Sequence, residues 1–185
     1  MTLQTSEVYF YNGEELYSYD TPLAYHPNKP KFEPLGSFCW RGYQGIWSIR
    51  DSKLYLVDLY AHKQKIQAIP NYRYVAYDRR RKDLYYEIHL VPTTQDVYIE
   101  DVFPKMKDGK VFAYWFTGYI NFGRSDVIGR GMTTSYKKYL SLRFENGMLM
   151  EERVRHHDEV YPPRTIEEFL IDIKKLTNNS RNTNF

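Results

Sequence analysis

The chain has 185 residues, 42% of them hydrophobic, and a net charge of +3, which suits one soluble domain able to bury a core without disulfides or a metal. So small a positive excess does not imply a nucleic-acid partner, and the lone cysteine, Cys39, excludes an internal disulfide and a zinc site built from several cysteines. With 19 Tyr, 10 Phe and 3 Trp, half-buried pleated surfaces are favoured and strands should dominate.

The opening "MTLQTSEVYFYNGEEL" lacks a charged segment followed by an apolar one, so no secretory signal is expected. No stretch approaches the roughly 18 apolar residues of a membrane span, and a cytoplasmic location is the expectation. "EVYFYNGEELYSY" predicts two strands joined at Asn12-Gly13, a pair that accepts the positive φ of a tight hairpin. Residues 20 to 34 are a proline-rich connection. Residues 37 to 60, "SFCWRGYQGIWSIRDSKLYLVDLY", predict a longer hairpin turning near Asp51-Ser52. The region from 61 to 95 predicts an inserted strand, charged turn and strand. After "DVYIEDVFP" a turn is expected around Asp108-Gly109. "VFAYWFTGYINF" (111 to 122) is apolar on both faces and predicts a core strand. "GRSDVIGRGMTTS" (123 to 135) is expected to be a loop. "YKKYLSLRFENGMLMEERV" predicts a hairpin around Asn146-Gly147.

One helix is predicted, in "RTIEEFLIDIKKLTNN". Thr165 and Glu168 make a capping box, and Ile166, Phe169, Leu170, Ile173 and Leu176 form one apolar stripe. The expected fold is therefore mainly β: an antiparallel meander of about nine or ten strands, forming a barrel or sandwich, with one C-terminal α-helix packed on it. A single domain should span 1–177, with a flexible tail at 178–185.

Three segments carry a resemblance. The hairpin Trp47-Ser48-Ile49-Arg50-Asp51-Ser52-Lys53-Leu54-Tyr55-Leu56, the strand Val111-Phe112-Ala113-Tyr114-Trp115-Phe116-Thr117-Gly118 and the segment Met132 to Leu140, in which Met132 stands where the pattern places glycine, resemble a group of small uncharacterised bacterial proteins. The resemblance covers about half of the chain and implies a shared, mainly β fold. It carries over no reaction, cofactor or catalytic residue.

Candidate sites follow from strand alternation. Continuing the strand back through "CWRGYQGIW" puts Arg41 on one face with Tyr43, Gly45 and Trp47. A guanidinium there needs a partner or a ring to stack on. It is either an anion-recognising group beside aromatic walls or a rim arginine stacked on Trp47. Trp115 and Tyr119 share a face of the expected core strand, so a ligand site would comprise Arg41, Tyr43, Trp47, Trp115 and Tyr119. Residues 61–82 hold seven Lys/Arg against one acid, Asp78. Tyr72, Tyr74, Arg79, Arg80, Arg81 and Lys82 are the ingredients of a surface that contacts backbone phosphates and stacks bases. A charged hairpin tip is the plainer account.

No metal or other cofactor is expected. His156, His157, Asp158 and Glu159 could ligate, but adjacent histidines on a strand point to opposite faces. Ser125 beside Asp126 resembles a nucleophile only superficially, and Cys39 suits a buried thiol. The leading expectation is a non-enzymatic cytoplasmic binding protein: either partner-binding, of immunity or regulatory type, or a β-barrel holding a small ligand. Nucleic-acid binding through 61–82 is the alternative. An enzyme, with an acid or base drawn from His89, His156 or Glu100, is the second.

Overall fold

The computed structural model describes residues 2–78 and 83–162 of the chain. The strands are β1 (Glu7–Tyr11), β2 (Glu14–Ser18), β3 (Tyr43–Arg50), β4 (Lys53–Asp78), β5 (Asp83–Val97), β6 (Val111–Phe112), β7 (Gly118–Gly123), β8 (Val127–Arg130), β9 (Thr134–Tyr136), β10 (Lys138–Glu145) and β11 (Met148–His156). Two short helices, α1 (Ile99–Val102) and α2 (His157–Val160), join them. Nine strands form one sheet in the order β2-β1-β3-β4-β11-β10-β7, with β5 and β6 also paired to β4, while β8 and β9 make a separate ribbon. The protein is mainly β, as its aromatic-rich composition implies.

Two-residue turns set the local register. Asn12-Gly13, Asp51-Ser52, Asp108-Gly109 and Asn146-Gly147 all adopt positive φ at both positions, the conformation that matches the right-handed twist of the flanking strands. These turns sit where the sequence places them. The sheet is nevertheless mixed rather than a pure antiparallel meander, because β1 runs parallel to β3 with Val8 opposite Ile46 and Tyr11 opposite Ile49. The proline-rich connection makes this possible by carrying the chain from the end of β2 to the start of β3. On the way it forms a 3-10 turn at Pro22–Tyr25.

The core lies on one face of these strands. Tyr9 stacks on Trp47 with ring centroids 6.2 Å apart and meets Phe122 edge-on at 5.2 Å. Leu54, Leu56, Ile120, Leu142 and Phe144 close the cluster, all buried. Each such side chain stabilises the fold by about 1.5–3 kcal/mol through the apolar surface it removes from water.

The two ends of the strand path, β2 and β7, meet through side chains. Ser18 Oγ donates to the Asn121 carbonyl (2.8 Å), and the Asp20 carboxylate accepts from Asn121 N (2.7 Å) and Nδ2 (3.1 Å). Ser141 Oγ donates to Asn121 Oδ1 at 2.7 Å, which extends the network onto β10.

Four expectations are corrected. Residues 37–42 are turns, not the first part of a strand, so alternation counted back from Trp47 stops at Tyr43. The expected core strand at 111–122 is broken into β6 and β7 by a turn, because the segment changes partner from β4 to β10. In that turn Ala113 N donates to Leu54 O, Phe116 N to Ala113 O, and Gly147 N to Phe116 O. The segment 123–135 holds β8 and part of β9 rather than being a loop throughout. Within "DVYIEDVFP", residues Ile99–Val102 form α1, with the Asp101 carboxylate accepting from Tyr98 N at 2.9 Å. The helix predicted in "RTIEEFLIDIKKLTNN" (164 to 179), the tail at 178–185 and the run Arg79 to Lys82 lie outside the described residues.

Candidate functional site

Arg41 resolves into a specific ion contact. It stands just before β3, in a turn where Gly42 takes φ +77°. Its Nη1 donates to the Thr5 carbonyl (2.7 Å) and its Nη2 lies 2.9 Å from Glu7 Oε1. The guanidinium also faces the Tyr43 ring, 5.4 Å from its centroid. Glu7, the first residue of β1, has no exposed surface. Its Oε2 accepts from Gly45 N and from Trp47 Nε1, each at 2.8 Å. The contact with Arg41 is one of charge rather than an aligned hydrogen bond, since Nη2 and Oε1 do not meet along the N–H direction.

Burial dominates the electrostatics here. It lifts the Glu7 pKa from 4.5 to about 7, although the cation of Arg41 and the donors of Trp47 and Gly45 all favour the carboxylate. Tyr43 is pushed well above its ordinary value, by burial first and by the Glu7 charge second. Gly45 has a steric reason for its identity. A Cβ there would lie 2.3 Å from Glu7 Oε2 and 2.6 Å from Trp47 Nε1. The room that glycine leaves on the Arg41 face is therefore filled by the Glu7 carboxyl and the Trp47 indole.

The same turn holds the N-terminal segment. Thr5 N donates to Phe38 O (2.7 Å), Gln4 Nε2 to Ser37 O (2.9 Å) and Trp40 N to Gln4 Oε1 (3.3 Å). Cys39 is buried, and its thiol donates to the Tyr43 carbonyl at 3.2 Å. The arrangement can store a proton and lock a turn. It presents no exposed acid, base or nucleophile to a substrate.

Of the five residues proposed for a ligand, Arg41, Tyr43 and Trp47 come together, and the other two make their contacts elsewhere. Trp115, in the turn between β6 and β7, stacks on Phe103 at 5.8 Å, meets His26 edge-on at 4.5 Å and donates to the Pro22 carbonyl at 3.0 Å. Tyr119 faces away from the buried side of β7 and takes the Arg155 guanidinium over its ring at 4.9 Å. Sequence reasoning missed Glu7. The signal was present: alternation through "EVYFY" places Glu7 on the same face as Tyr9, and a buried arginine needs a carboxylate.

The second feature is an arm. Strand β4 is 26 residues long and β5 is 15. Their ladder runs from Ala61 opposite Val97 to Asp78 opposite Asp83, with one irregularity between Asn71 and Val75. Beyond Ala61, β4 has left β3, so the ribbon continues for about 50 Å; past His62, whose carbonyl accepts from Glu33 N at 2.9 Å, no further strand pairs with either edge among the described residues. Residues directly opposite share a face. The register thus puts Ile66 and Ala68 on one face with Leu90, which lies opposite Ala68. Ile66 is 66% exposed and Leu90 70%. Lys63, Lys65 and Gln67 belong to the opposite face with Gln95, Thr93 and Val91. At the base His62 Nδ1 lies 3.0 Å from Asp96 Oδ1. Tyr72 and Tyr74 belong to β4, and their side chains lie outside the described residues.

Other candidates have structural partners. Ser125 Oγ accepts from Lys138 N at 2.8 Å, and His156 N donates to Glu159 Oε1 at 3.2 Å at the start of α2. Glu100 is exposed on α1, and the His89 side chain lies outside the described residues. Among the described residues no three His, Cys, Asp or Glu side chains gather as a metal site, and no helix is long and apolar enough to cross a membrane. Comparison of the chain with protein-family models, curated proteins and solved structures returned no match.

Proposed function

We propose that this chain is a non-enzymatic, cytoplasmic binding protein of immunity or regulatory type that engages a macromolecular partner through the β4–β5 arm. The observation that carries this is the arm itself: a two-stranded ribbon to which, among the described residues, no third strand pairs beyond Ala61, with Ile66 and Leu90 exposed on one face. A free ribbon of this length is marginally stable in water. Open edges and an uncovered apolar face are the features by which one chain adds to another. The alternative of a small-ligand barrel has less support, because the Arg41 face is filled by its own side chains. On the same reading the sheet is a barrel whose last seam, between β2 and β7, is closed by Ser18, Asp20 and Asn121.

The test is a variant in which residues 62–96 are replaced by Asn-Gly, a two-residue turn that suits the Ala61–Val97 pair. Tagged full-length and arm-less chains are used to fractionate a native lysate. Proteins enriched by the full chain alone are then purified and titrated against both forms. Direct binding to the full chain only is the expected result, and equal binding by the arm-less chain would overturn the proposal.

Nucleic-acid binding is a second reading, favoured by charge. Residues 61–97 carry seven Lys/Arg and four acids, so the arm accounts for the whole net +3 of the chain. It predicts filter retention that falls steeply with salt and is lost when Arg79, Arg80, Arg81 and Lys82 are neutralised. Absence of retention at low salt removes it.

A further inference from the structure

Two turns of this chain carry the same pair of residues in the same backbone conformation but in unlike surroundings. Asn12 and Gly13 take φ of 50° and 80°, and Asn146 and Gly147 take 50° and 78°. Asparagine before glycine is a labile pair, because no glycine side chain hinders its backbone nitrogen from reaching the asparagine carboxamide. The two atoms meet only when the turn opens, so the bonds that hold each turn decide how fast it reacts. At the second turn, Asn146 N donates to Thr117 Oγ1 at 2.9 Å and Gly147 N donates to the Phe116 carbonyl at 2.8 Å. The Gly147 carbonyl accepts from Leu54 N at 2.9 Å. Gly147 is buried, with the Ala113 carbonyl 2.5 Å from where a Cβ would stand. Its nitrogen is engaged and covered.

The first turn is held far less. Asn12 and Gly13 are exposed, and no atom beyond the chain neighbours lies within 4 Å of where a Gly13 Cβ would stand. Gly13 N donates to no group among the described residues. The turn borders an open cleft of about 620 Å³, so water and hydroxide reach it. The Asn12 amide reaches the Tyr11 hydroxyl, which itself donates to Glu152 Oε2 at 2.7 Å. We propose that Asn12-Gly13 deamidates spontaneously in the folded chain while Asn146-Gly147 is preserved, which makes the first hairpin a site of age-dependent modification. Gly13 N loses its proton to base and attacks Asn12 Cγ, and the bond from Cγ to Nδ2 breaks, releasing ammonia. The succinimide ring so formed takes up one water and opens to aspartate or to isoaspartate, in which the main chain runs through Cβ. Water enters and ammonia leaves. Either product puts a carboxylate beside Tyr11 and Glu152, and isoaspartate adds a backbone atom to a turn that fits two residues. The contact of Glu14 with Arg124, at 2.6 Å beside the β2–β7 seam, then loses its fixed position. This site needs neither the arm nor a partner.

The test is peptide mapping of the folded full chain by mass spectrometry after warm incubation at pH 6 and pH 8, with isoaspartate scored by fragmentation. One hydrogen bond shifts an opening equilibrium by about fivefold. Asn12 should therefore convert at least about tenfold faster than Asn146, and faster at pH 8 than at pH 6. The same chain in urea should convert both pairs at similar rates, so that the fold and not the neighbouring residues separates them. Asn12→Gly keeps a turn that accepts positive φ and should remove the modification at this hairpin. The deamidated form, separated by its added negative charge, should exchange the amides of Glu14–Ser18 with deuterium faster than the parent chain. Equal rates at the two turns, a faster Asn146, or an Asn12 that stays intact while the urea-unfolded chain reacts would overturn the inference. Unequal rates in urea would overturn its structural cause, and unchanged protection of β2 its consequence for the seam.

Discussion

At the scale of single residues, Glu7 links proton binding to stability. Its folded pKa, about 7, stands above the ordinary 4.5 because burial outweighs Arg41. The folded state therefore holds this proton more tightly than the unfolded state does. The stabilisation is fully present below about pH 4.5 and is lost as pH rises to about 7, an effect of roughly 3 kcal/mol for a shift of this size. Asp20, raised mainly by burial, acts in the same sense. Urea unfolding at pH 5, 6, 7 and 8 should show stability falling with pH. In Glu7→Gln, which keeps an acceptor for Gly45 N and Trp47 Nε1, most of that slope should vanish. Arg41→Ala should cost about 2–4 kcal/mol at pH 8, where it strands a buried carboxylate, and distinctly less at pH 5, where the carboxyl is neutral. A cost independent of pH would mean that Arg41 acts by packing alone. Gly45→Ala should cost about 2–4 kcal/mol, since the new methyl meets two atoms already committed to each other. The Arg41 question was legible in "CWRGYQGIW", whereas its answer, Glu7, lay 34 positions away at the start of β1. Alternation assigns a face to a residue but does not name what faces it.

At the scale of elements, the hairpins were legible because each is set by its own turn residues: Asn12-Gly13, Asp51-Ser52 and Asn146-Gly147 each close a ladder between neighbours in sequence. What local pattern could not show is a change of partner along one strand. β4 pairs with β3 as far as Ala61 and with β5 from Ala61 onward, and the apolar run at 111–122 is shared between β4 and β10. The arm's composition marked it as an insertion, but its reach followed only from the register. Because the described side chains at 63–68, 90 and 91 are exposed, amides at these positions should exchange with deuterium far faster than those at 43–50 and 53–60. Equal protection in the isolated chain would show that the arm is already covered.

At the scale of the whole molecule, the mixed order β2-β1-β3-β4-β11-β10-β7 was not legible, since a parallel neighbour leaves no mark in local periodicity. The seam between β2 and β7 rests on a few polar atoms, with Asp20 accepting two bonds from Asn121. Asp20→Ala should cost about 1.5–3 kcal/mol, because it leaves the half-buried backbone and side-chain donors of Asn121 without their charged acceptor. A loss under 1 kcal/mol in thermal or urea unfolding would place the strength of the seam elsewhere. The parallel pairing of β1 with β3 also bears on how the protein is made. β1 and β2 leave the ribosome before the strands they pair with, since the parallel neighbour of β1 starts at Tyr43 and the seam partner of β2 at Gly118. A nascent chain thus holds Glu7 against Arg41, Gly45 and Trp47 as soon as β3 is made, whereas the Tyr9 ring lacks its Phe122 neighbour until β7 has been synthesised. The β1–β2 hairpin is therefore sealed only when β7 arrives, and a translation product that stops before β7 should be more susceptible to protease than the full chain.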